Sequence, residues 1–139
     1  MAYVIEKVDV WSGVISDVPG GLAAKLGPLA AAGANLEFVL ARRDSALGGV
    51  LFVAPISGAP LSKAAKQLGL AKSDALVALR VTGPDKAGLG AKLTAALAGA
   101  GINVRGMSAM ALAKKSVVMI AFDGKADAAK AKRLLEKAL

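Results

Sequence analysis

The chain contains neither cysteine nor histidine. Their absence excludes disulfides, thiol nucleophiles, thiolate or imidazole metal sites and every His-based catalytic triad. Aromatics are scarce, with one Trp, one Tyr and three Phe among 139 residues, which argues against a binding surface built on ring stacking. No apolar run approaches the roughly 20 residues that cross a bilayer as a helix. The opening Met1-Ala2-Tyr3-Val4-Ile5-Glu6-Lys7 lacks the basic segment and long apolar stretch of a secretory signal. A cytoplasmic protein without a membrane partner is therefore expected. There is no Gly-x-x-x-x-Gly-Lys-Ser/Thr phosphate loop and no Ser nucleophile elbow, so neither catalysis, cofactor nor metal is expected.

Apolar types make up 55% of the chain, enough to bury a core. Eighteen basic residues stand against ten acidic, a net charge of +8, and raise the question of an anionic partner. Most basic residues are scattered. The dense group is Lys125, Lys130, Lys132, Arg133 and Lys137, which reads first as the solvated face of a helix and second as a contact for RNA, a membrane or an acidic protein.

The most informative feature is an internal repeat. Asp17 to Leu36 aligns without a gap to Asp85 to Val104, and eight of the twenty positions are identical. Matches among alanines mean little. Asp17/Asp85, Gly20/Gly88, Leu29/Leu97, Gly33/Gly101 and Asn35/Asn103 mean more, because Asp, Gly and Asn at fixed spacing mark turns and helix ends.

Each copy spells the same order of elements. A strand (Val8 to Ile15; Leu76 to Thr82) leads through the Asp/Gly turn into a helix with Leu22, Leu26 and Leu29 on its buried face in one copy. In the other copy the face carries Leu89, Leu93, Ala96, Leu97 and Ala100. Gly33 and Gly101 end these helices. Further strands are read from Asn35 to Ala41, Val50 to Ala54, Ile102 to Met110 and Val117 to Phe122, and second helices from Leu61 to Leu68 and Asp127 to Leu139. Pro28 falls inside the first helix and is expected to kink it.

Strand, helix, strand, strand, helix, strand is the ferredoxin-like pattern. The fold class expected is α+β, with two such units side by side and antiparallel sheets carrying their helices on one face. The units are placed at residues 1–72 and 73–139. The second copy runs out of chain before its fourth strand, and residues 3–7 are expected to supply it.

At Asp17-Val18-Pro19-Gly20-Gly21-Leu22 followed by Gly33-Ala34-Asn35-Leu36, and again at Asp85-Lys86-Ala87-Gly88-Leu89 followed by Gly101-Ile102-Asn103-Val104, the sequence resembles the ACT domain, a small ferredoxin-like regulatory unit. The resemblance covers residues 8 to 139 and departs from the motif where Ala87 replaces its proline. It implies an amino-acid ligand whose carboxylate rests on the amides around Gly20, Gly21 and Leu22, with Asn103 of the other repeat facing it. A mirror site would use Gly88, Leu89 and Asn35. Leu36, Val104 and Pro19 complete the implied set.

The residues themselves are compatible with that chemistry. A helix N-terminus offers unpaired N–H groups, and glycine leaves them open. Asp17 and Asp85 either accept from an ammonium group or cap the turn. Asn35 and Asn103 carry both a donor and an acceptor. Gly21 is read as a surface-loop position that would accept valine without loss of fold. Met107, Met110 and Met119 read as core or interface filling.

These readings converge on a non-catalytic sensor that binds a small amino acid and modulates a metabolic enzyme. A homodimer is expected because so much apolar area is hard to hide in a small chain. The alternative is a regulatory subunit that docks on an enzyme without a ligand of its own. Nucleic acid is disfavoured, since Ala109, Ala111, Val118 and Ile120 stand where stacking aromatics would be needed.

Overall fold

A computed structural model describes residues 3–72 and 76–139. In chain order it contains β1 (Val4–Val8), β2 (Trp11–Ile15), α1 (Ala23–Ala31), β3 (Phe38–Asp44), β4 (Gly48–Ala54), α2 (Ala59–Gln67), β5 (Ala71–Lys72), β6 (Val77–Pro84), α3 (Leu89–Gly99), β7 (Gly106–Leu112), β8 (Lys115–Phe122) and α4 (Lys125–Ala138). The stretch read as one strand from Val8 to Ile15 is broken at Asp9 and Val10, and its two halves belong to different compact units. Strands β2 to β5 with α1 and α2 form one unit. Strand β1 joins β6 to β8, α3 and α4 in the other.

In the first of these units the strand order is β3-β4-β2-β5, antiparallel throughout. Trp11, Ile15, Leu51 and Val53 alternate onto one face and meet Leu29 of α1 and Leu61 and Ala65 of α2. Lys25 donates to the carbonyl of Leu68 at 2.7 Å, placing a cation at the C-terminal end of α2 where the helix dipole favours it. Helix α1 runs on through Pro28, and the Ala32 amide reaches the Pro28 carbonyl at 3.0 Å. The donor that proline lacks would have served Ala24, whose residue is exposed to solvent.

The second unit has the order β1-β6-β8-β7. Strand β1 pairs with β6 from Val4↔Thr82 to Val8↔Ala78 and completes a four-stranded sheet. Tyr3 anchors this edge: its hydroxyl donates to the Pro84 carbonyl at 2.8 Å, and its ring covers Gly83. Ile5, Leu79, Val81, Ile120 and Phe122 alternate onto the face that packs against Leu93 and Leu97 of α3 and Ala131 and Leu135 of α4. Lys130, from the dense basic group, donates to the Ala100 carbonyl at 3.2 Å, at the C-terminal end of α3. No helix among the described residues is long and apolar enough to cross a membrane.

Candidate functional site

The duplicated motif folds twice into the same local geometry. Gly20 and Gly88 hold φ of 85° and 84°, a left-handed conformation that glycine adopts without steric cost. The amide of Gly21 donates to Val18 and that of Leu89 to Lys86, at 3.0 and 3.2 Å. Gly20 and Gly88 in turn accept from Ala24 and Lys92, at 3.0 and 2.9 Å. At the other helix ends Gly33 and Gly101 are again left-handed, and Ala34 and Ile102 donate to Leu29 and Leu97, both at 3.0 Å. These are paired Schellman caps. Leu29 and Leu97, the acceptors in these caps, are both fully buried in the cores of their units.

The hydrogen bonds decide which loop amides are open. Gly21 and Leu89, expected to meet a carboxylate, are already engaged with carbonyls inside their own turns. The next two amides, of Leu22 and Ala23 in one loop and of Gly90 and Ala91 in the other, have no carbonyl partner among the described residues. They head α1 and α3, where the helix dipole adds a partial positive charge. Of the amides the sequence suggested in the first loop, Leu22 is open and Gly21 is not, and Ala23 joins Leu22; in the other loop Gly90 and Ala91 follow the engaged Leu89.

Gly21 is not a tolerant loop position. It is buried, and a Cβ there would overlap the carbonyl oxygen of Ser16. The expectation that valine would be accepted is therefore overturned: position 21 is required by close backbone approach. Gly20 and Gly88 show the opposite situation, open space around the absent Cβ and a constraint that is purely conformational.

Asp17 is exposed and is held by Arg43, whose Nε donates to Oδ2 at 2.7 Å and whose second nitrogen reaches Oδ1 at 3.4 Å. This hydrogen bond, then the charge of Asp17, raises the Arg43 pKa above its ordinary value. Arg43 was not singled out by sequence reasoning, since an arginine on an edge strand carries no signal of its partner. Asp85, at the equivalent position, has a backbone N–H that donates to Lys114 but no side-chain partner among the described residues. Neither carboxylate caps its helix. Pro19 lies exposed beside Gly20.

Leu22 and Leu36 pack onto the core of their unit, and Leu89 and Val104 onto that of the other. They are structural contacts first. Asn35 and Asn103 are exposed just beyond the Schellman caps. Asn35 borders an open cleft of about 390 Å³ lined by Gly33, Glu37, Pro55, Ser57 and Pro60 among others. Within one unit Gly20 and Asn35 stand at opposite ends of α1, whose nine residues span about 13 Å. A single repeat therefore does not bring its own glycine loop and asparagine onto one small ligand.

The fold is similar to that of solved subunits of aspartate kinase. The regulatory subunit of aspartate kinase from Thermus thermophilus, in ligand-free form, superposes with a TM-score of 0.69 at 15% identity, covering 100% of this chain and 97% of that one. The aspartokinase alpha and beta subunits give 0.68 at 18%, covering 99% and 97%. A Bacteroides thetaiotaomicron protein gives 0.72 at 20%, covering 97% and 89%. No curated protein sequence matches the chain. Residues 75–139 match the family model of the ACT domain. The other unit repeats the ferredoxin-like fold of this matched one.

Proposed function

We propose that the protein is a non-catalytic regulator that binds a small amino acid through its strand-to-helix loops and modulates a metabolic enzyme. The observation that carries this reading is the duplicated loop, in which a left-handed glycine, 20 or 88, precedes two open amides at a helix start. Such amides suit a carboxylate, which the helix dipole also favours. Asn35 and Asn103 have donors and acceptors uncommitted among the described residues, and Asp85 offers an acceptor for an ammonium group. The likeness to aspartate kinase regulatory subunits supports an enzyme of amino-acid metabolism as the partner.

A thermal-shift screen against the twenty amino acids tests the reading. A ligand at 100 times its Kd stabilises the fold by about 2.7 kcal/mol, so one or two small amino acids should raise the melting temperature. Ala23→Asp and Ala91→Asp then place a carboxylate of the chain's own over the open amides. An acidic residue in the first turn suits a helix, so folding should persist while binding at that loop falls about tenfold or more. A flat screen would favour the docking-subunit reading instead.

A further inference from the structure

Helix α4 turns Ala128, Ala131 and Leu135 into the core. Its opposite stripe is Ala126, Lys130, Arg133 and Lys137, spaced by four, three and four residues, and all of them are exposed. Lys130 reaches the Ala100 carbonyl. Among the described residues Lys132, Arg133 and Lys137 have neither an ion-pair nor a hydrogen-bond partner. Asp127 and Glu136 lie three or four residues from these cations on the same helix, yet pair with none of them. The second helix of the other unit, α2, carries only Lys63 and Lys66 as cations, so the duplicated fold does not itself require the row.

The row selects the chemistry of its partner. Like charges three and four residues apart destabilise a helix, and carboxylates set opposite them relieve that repulsion. From Lys130 to Arg133 to Lys137 the helix rises about 4.5 and then 6 Å. Carboxylates at three- and four-residue spacing on a facing helix keep that step, whereas an extended strand repeats on one face only every 6.5–7 Å or so. The exposed uncharged residues of α4 are Ala126 and Ala129, small enough for a second helix to approach closely. They offer nothing to insert into a bilayer and no ring to stack on a base. Glu136, exposed between Arg133 and Lys137, repels a uniform polyanion but can meet a cation on a protein. We propose that the outer face of α4 docks an acidic helix of a partner protein, with Lys130, Arg133 and Lys137 each facing a carboxylate. The proposal is independent of whether an amino acid binds at the loops.

Exposed charges set the strength. Each contact is weak and screened by salt, so docking is reversible and loosens as ionic strength rises. A row of one sign also steers an acidic partner toward the face before contact, which speeds association more than it deepens affinity.

The probe is an alanine-rich helical peptide with its glutamates along one face at three- and four-residue spacing. Its control carries the same glutamates scattered around the helix. Fluorescence anisotropy against the full chain should show the one-faced peptide bound more tightly than the control, and less tightly as salt is added. Arg133→Glu should weaken that binding at least about tenfold, and the milder Arg133→Gln about threefold. Lys66→Glu makes the same change of net charge on α2 and should leave the affinity within about twofold. Arg133 is exposed, and a glutamate there lies between Lys130 and Lys137 at supportive spacing. Circular dichroism, melting and any amino-acid-induced thermal shift should therefore match the native chain. Equal loss from Lys66→Glu, equal binding of the two peptides, or no binding at high micromolar concentration would overturn the proposal. So would poly-uridylate RNA or phosphatidylglycerol vesicles held more tightly than the peptide with the same dependence on Arg133.

Discussion

Arg43 clasps Asp17 across the edge of its sheet, Nε to Oδ2 at 2.7 Å, while Asp85 at the equivalent position of the other repeat has no such partner among the described residues. The two otherwise matching loops therefore differ in electrostatics: one acidic group is neutralised and the other is not. If an ammonium group is bound beside these loops, Asp85 is the better acceptor. Asp85→Asn should weaken amino-acid binding measured by calorimetry more than Asp17→Asn does. Arg43→Ala should scarcely move the melting temperature, because exposed ion pairs contribute little and salt screens them.

The adjacent glycines at 20 and 21 should respond differently to alanine. Gly20→Ala meets no neighbour but must hold a left-handed backbone, costing about 1–2 kcal/mol. Gly21→Ala drives its Cβ into the Ser16 carbonyl oxygen, and displacing backbone on both sides should cost about 3 kcal/mol or more. Urea denaturation of the two variants gives the comparison. Equal stabilities would mean that the loop relaxes freely around position 21.

Removing residues 1–8 should damage the unit built around β6, not merely trim a terminus. The ladder from Val4↔Thr82 to Val8↔Ala78 disappears with β1, and with it the burial of Ile5, a side chain worth about 1.5–3 kcal/mol. Hydrogen exchange should then accelerate at the amides of β6. Tyr3→Phe should have a smaller effect of about 1 kcal/mol, from loss of the hydroxyl's bond to Pro84.

The turn between β3 and β4 predicts a pH dependence. Asp44 accepts from the amides of Ala46 and Leu47 at 2.9 and 3.0 Å. These bonds, aided by the charge of Arg42, hold its pKa below the ordinary aspartate value. A carboxylate with a depressed folded pKa stabilises above its unfolded pKa, near 3.9, and that contribution fades as pH falls through the folded value. Asp44→Ala should therefore melt below the native chain at neutral pH. The gap should be constant down to about pH 4 and close at more acid pH. A gap unchanged in acid would assign the effect to something other than the ionised carboxylate.

What the sequence determined is what depends on neighbours along the chain. The spacing of Leu29, Leu97 and their companions marked the buried helix faces, and Gly33 and Gly101 marked the helix ends, because helix periodicity and left-handed caps are set within a few residues. The repeat itself, carried by Asp, Gly and Asn at matched positions, exposed the two-fold duplication of the fold. Tertiary structure decided the rest. Only long-range strand pairing could divide the stretch around Asp9 and Val10, sending β1 to β6 and β2 to β4. Sequence patterning does not reveal that Ser16 presses on Gly21, nor that Arg43 occupies Asp17. Those contacts arise when segments distant in sequence are brought together, and they fix which amides and carboxylates the loops leave open.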